Sequence, residues 1–173
     1  MNRIILFAAA CSLAWPAAAE TLGEKTGVNA ALGVAPTTTD FVQEVASSDM
    51  FEIQSSKLAA DRLDGPGKDF ANDMIRDHTK TSDQLATQAK ADNIPVPTKM
   101  DAAHQKLLDA LSSLDGDAFR KRYFKDQVTA HKDAIALFER YDKGGDNVQL
   151  KTWADQTLPT LHHHLEMAQG LDK

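Results

Sequence analysis

The chain has almost no cysteine. Cys11 is the single one in 173 residues, and it lies within the first twenty. No disulfide framework or thiolate metal site is available to a chain of this kind. Aromatic residues are scarce at 6%. Basic residues are outnumbered, 19 against 25 acidic, for a net charge of −6. That balance argues against nucleic acid or an anionic lipid surface as a partner. Apolar runs long enough to span a bilayer, about 20 residues, are missing too. So are a serine or cysteine nucleophile motif, a glycine-rich phosphate loop and a dinucleotide fingerprint. No catalytic residue is assigned, and an enzyme is the less favoured reading.

What is present begins with an address. Arg3 precedes an apolar stretch from Ile4 to Trp15, and Pro16 leads into Ala17-Ala18-Ala19. A basic start, a short apolar core and a small-residue site describe a secretory signal, with cleavage expected after Ala19. Residues 1–19 are therefore read as a signal peptide, and the mature chain as periplasmic or secreted, without a transmembrane segment. Loss of Arg3 leaves it near −7. Residues 20–36 lack a clear period and hold glycine and proline, as a flexible arm would.

From residue 37 to 173 the chain reads as one all-α domain. A first helix is expected over Asp40–Leu63, capped by Asp40 or a preceding threonine, with Phe41, Val42, Val45, Ala46, Ile53 and Ala59 inward. Gly65-Pro66-Gly67 should end it. A second helix follows over Lys68–Asp92, then the extended Ile94-Pro95-Val96-Pro97 crossover. A short helix over Asp101–Leu111 precedes two more long ones, to Tyr141 and from Asp146 to the C-terminus, with Gly144-Gly145 between them. Pro159 should kink the last helix or open a bulge in it. Two tight hairpins joined by a long crossover make a ferritin-like four-helix bundle. An internal match supports the pairing: FANDMIRDH at 70–78 and YFKDQVTAH at 123–131 share an aromatic-x-x-Asp-x-(Ile/Val)-x-x-His pattern.

Each long helix carries one polar group on its apolar stripe: Glu52, His78, His131 and His164. Ionisable groups there need each other, water or a metal. Counted from Gly65, Glu52 and His78 are level, each 13 residues away. His131 is 13 before Gly144 but His164 is 20 after it, an offset of about 10 Å at 1.5 Å per residue. Glu52, His78 and His131 thus form the better-matched triplet. Asp49, one turn before Glu52, is a further carboxylate near the same place. Imidazoles and a carboxylate suit one transition-metal ion, zinc or a similar one. The competing reading is a hydrogen-bonded His/Glu network that fixes the register of a structural or interaction bundle. His163 should be solvated, and partners, including a second copy, are left open.

FVQEVASSDMFEIQSSKLA, FANDMIRDHTK, HQKLLDAL, FKDQVTAHKDAIALFER and LPTLHHHLEMA together resemble the secreted, ferritin-like family catalogued as domain of unknown function 4142, often labelled an outer membrane protein. The resemblance spans about residues 37–171 and implies polar positions at Glu52, His78, His131 and His164. The resemblance implies no settled activity; the His/Glu cluster is read as a link to metal handling or envelope stress. Ferritin-type di-iron sites use Glu-x-x-His. Ile75 and Leu161 stand where those glutamates would be, so no di-iron centre is expected.

Overall fold

A computed structural model describes Thr21, Gly23 and residues 27–172. The expected signal peptide lies outside the described residues. Those residues form helices α1 (Val28–Leu32), α2 (Thr38–Arg62), α3 (Gly65–Ala91), α4 (Ala102–Ser112), α5 (Gly116–Gly144) and α6 (Val148–Leu171), with no strand among them.

Local chemistry sets the ends. Thr37 caps α2, its hydroxyl accepting from the Asp40 amide, and not Asp40 itself. Asp40 is turned back to accept from Thr37 and Thr21. Gly65-Pro66-Gly67 opens α3 instead of closing α2: Asp64 is the N-cap and Pro66 sits in the first turn, where the missing N–H costs nothing. Asp101 caps α4 through the amides of Ala103 and His104, and Asn147, not Asp146, caps α6. The helix α6 runs unbroken through Pro159. In the expected arm, α1 packs on α5, and the Val34 carbonyl accepts from Arg140.

The hairpins α2–α3 and α5–α6 make the most extensive contacts; α2 also packs on α5, and α3 on α6. Two apolar clusters fill the core. One joins the start of α2 to the ends of α3 and α5 and the start of α6, around Phe41, Leu85, Phe138 and Trp153. The other holds Ala59, Phe70, Met74, Tyr123 and Phe124 at the far end. Helices α3 and α5 both run from the second cluster to the first, so they are parallel, and the crossover must return the length of the bundle. The matched segments face each other: Phe70 and Tyr123 have ring centroids 6.1 Å apart, and His78 and His131 5.6 Å.

Helix α2 is buried on more than one side. Ser47, Phe51, Ser55 and Ser56 are buried along with the expected stripe, while Ile53 is only half-buried. Helix α4, lying against α2 and α5, covers Ser47 and Phe51, with His104 within 5.9 Å of the Phe51 ring, while Ser55 and Ser56 meet Gln127 and Tyr123 of α5. Phe41 anchors the first cluster, stacked on Tyr141 at 3.9 Å and edge-on to Phe138 at 5.1 Å. Phe41→Ala should lower stability by about 3–5 kcal/mol, the usual cost of emptying a buried aromatic site. Urea unfolding should show a lower midpoint with an unchanged slope.

Candidate metal centre

Between the two apolar clusters lies a polar layer: Asp49, Glu52, His78, Gln127, His131 and His164 are all buried. Helix α3 supplies His78, α5 supplies His131 and α6 supplies His164. Their ring centroids are 5.6, 5.5 and 5.4 Å apart pairwise. One ligand atom from each of the three falls within 4.8 Å of the others. His164, the outlier by counting, is a full member of this cluster.

Each imidazole is anchored by one nitrogen. His78 Nδ1 is 2.8 Å from Asp49 Oδ1, and Asp49 also accepts from Ser82 at 3.0 Å. His131 Nδ1 donates to the Gln127 carbonyl at 2.9 Å, one helical turn back. His164 Nε2 is 3.1 Å from Asp77 Oδ2, and Asp77 is paired with Arg76. An anchored nitrogen next to a carboxylate or carbonyl carries the hydrogen, which leaves the other as a lone pair whenever the ring is neutral. Those other nitrogens are His78 Nε2, His131 Nε2 and His164 Nδ1, and all three are buried without a partner.

Glu52 is 1% exposed and stands beside this set rather than in it. Its Oε1 is 4.0 Å from His131 Nδ1, the anchored side of that ring, and its Oε2 has no partner. The carboxylate expected to be level with His78 is displaced by one turn, because Asp49 takes that place.

Electrostatics prepares two of the rings. Burial, then the proximity of His78, pushes His131 down to about 3 and His164 down to about 4. Both are neutral near pH 7, as a ligand must be. Burial also opposes charge on His78, but the Asp49 hydrogen bond and charge outweigh it and hold its pKa above the ordinary value. Burial pushes Glu52 up to about 7, against the pull of His78 and a Gln127 hydrogen bond.

The donor set fits a metal ion. The three unpartnered nitrogens stand close together, and once His78 gives up its second proton their lone pairs repel unless a cation sits among them. Each also has the outer partner that metal-bound histidines use to fix tautomer and orientation. Nitrogens bonded at 2.0–2.1 Å to one ion stand about 3.3 Å apart. Small rotations of rings whose ligand atoms now lie within 4.8 Å of one another would close that gap. All three donors are imidazole nitrogens, which suit zinc, copper or nickel. Exposed His162 and His163 contribute nothing to the cluster.

Asp49 is a site residue whose weight the inward-stripe pattern understated. It is 3% exposed and holds the His78 ring. Asp49→Ala should weaken metal binding about 10- to 100-fold, as loss of an outer partner does. Asp49→Asn, which keeps an acceptor, should recover part of it. Isothermal titration of both variants measures the difference.

Fold and site together define a class: a ferritin-like, one-crossover helical bundle with an imidazole cluster in its core. Within that class, the chain belongs to the family described as Domain of unknown function (DUF4142), whose profile matches residues 23–171. Among solved structures, one described as "CopM in the Cu(II)-bound form" is similar, with a TM-score of 0.68 and 16% identity, over 80% of this chain and 97% of that one. At that identity the likeness speaks for the fold. No curated protein matches the chain. No helix among the described residues is long and apolar enough to cross a membrane.

Proposed function

We propose that this protein is an exported, non-catalytic metal-handling bundle that holds one divalent first-row transition-metal ion on His78, His131 and His164. Glu52 serves as the buried counter-charge beside them. The observation that carries this is the trio of unpartnered, buried nitrogens, each on a ring anchored from its far side. A purely structural network would bring at least one of those nitrogens within hydrogen-bonding distance of a partner. Copper(II) is the favoured ion: nitrogen and oxygen sites bind it most tightly of the divalent series, and the similar solved structure is described as Cu(II)-bound. The signal-like residues 1–19 support work in the periplasm or outside the cell, after cleavage before Glu20, in metal handling under envelope stress.

The test is metal analysis of tag-free protein purified from periplasm and then reconstituted with Cu(II). One equivalent per chain is expected after dialysis. Protein that retains none, with its helical signal intact, would leave the register-fixing network as the role of the cluster.

A further inference from the structure

We infer that the metal ion is exchangeable cargo, entering and leaving through a carboxylate-lined cleft between α2 and α5 that ends on the Asp49–His78 pair. The inference rests on the metal reading above and adds the route. A cavity of about 740 Å³ opens between these two helices, under α4. Its walls are Val45 and Asp49 from α2 and Ala130, Ala134 and Leu137 from α5. It passes through the bundle to reach His78 and Thr81 on α3 and Leu161 on α6.

Two independent features point to a cation as its occupant. The first is charge. Glu44, Asp49, Asp101, Asp126 and Asp133 line the cavity, against one guanidinium, that of Arg140. Asp126 is itself paired with Arg122 and Asp101 with His104, which also lines the cavity, and Arg140 donates to the Val34 carbonyl. The balance stays negative, and apolar walls concentrate such a field on a counter-ion. The second is the inner end. His78 lines the cavity, is 4% exposed, and its Nε2 has no partner. A hydrated divalent ion drawn to the rim would thus meet the Asp49 carboxylate and then the first of the three imidazoles. A metal fixed for stability alone would have its coordination filled by protein ligands, whereas three imidazoles leave a position open toward solvent or exchange.

The experiment follows Cu(II) uptake by stopped-flow quenching of Trp153 fluorescence in the mature protein. Ala134→Phe narrows the cleft, and the pair Glu44→Gln with Asp133→Asn removes rim charge; none of these residues is a ligand. Ala134→Phe should keep one equivalent of Cu(II) and load it about tenfold more slowly or worse, while the rim variant should load several-fold more slowly with a flatter dependence on ionic strength. Folded Ala134→Phe that loads at the wild-type rate would overturn the route. If circular dichroism shows that Ala134→Phe does not fold, the rim variant decides, and an unchanged rate and salt dependence would overturn it. Wild-type protein that takes up no Cu(II) would fail the metal reading and this inference with it. Wild-type protein that binds Cu(II) while the plugged variant loads as fast would fail this inference alone.

Discussion

His78→Ala should take the protein from one equivalent of metal per chain to none, while His163→Ala should leave binding unchanged. His78 is the ring on which the cluster closes: its centroid is 5.6 Å from His131 and 5.5 Å from His164. Without it, two neutral imidazoles remain in the buried layer, and two donors do not repay the dehydration of a divalent ion. His163 is adjacent in sequence and its ring is 6.5 Å from that of His164, yet it is exposed and faces away from the cluster. The pair of variants therefore separates the buried centre from adventitious surface binding. Stability gives the second readout. In metal-free protein, His78→Ala strands the Asp49 carboxylate and should destabilise by about 1–3 kcal/mol. Destabilisation together with unchanged metal content would mean that His78 only fixes register.

Most of the fold was legible because helix periodicity and punctuation agree along the chain. The four long stripes, the prolines at 95 and 97 and the Gly144-Gly145 stop leave little freedom. The site was less legible, because depth in a hairpin depends on where the turn is centred. Taking Gly65 as the centre makes Glu52 level with His78. The turn is in fact at Leu63-Asp64, since Pro66 can open a helix as readily as end one. Asp49 is 14 residues before Leu63 and His78 is 14 after Asp64, which pairs them. A shift of one to two residues in the turn moves the partner by a full helical turn. The same correction rescues His164. With α5 ending at Gly144 and α6 starting at Val148, His131 is 15 residues before Asp146 and His164 is 18 after it. The offset falls to about 4.5 Å, within side-chain reach. The cleft had no such signal. It arises where α4 leans on α2 and α5, a long-range arrangement that the stripe of α4 alone does not specify.

Metal affinity should fall steeply as the solution is acidified, and its slope should report on Glu52. The sign follows from which groups carry a proton before the metal arrives. His131, at about 3, and His164, at about 4, are already free of theirs at pH 7. His78 is held above its ordinary value by Asp49, and Glu52 is pushed up to about 7 by burial. A divalent ion must displace the proton on His78 Nε2, and its charge should drive the neighbouring Glu52 to ionise. Each displaced proton lowers affinity about tenfold per pH unit below the pKa concerned. Two of them give about 100-fold per unit between pH 5 and 6, levelling off on the alkaline side of both values. Below about 4, His164 adds a third proton and the slope steepens. Competition with a chelator of known pH dependence, from pH 5 to 8, measures the curve. Glu52→Gln should cut the slope between pH 5 and 6 by one proton while leaving the stoichiometry at one, because the glutamine neither ligates nor titrates. A slope unaltered by Glu52→Gln would show that Glu52 keeps its proton when the metal binds. An affinity independent of pH over that range would mean that the bound ion does not compete with protons for His78, which would remove His78 from the ligand set.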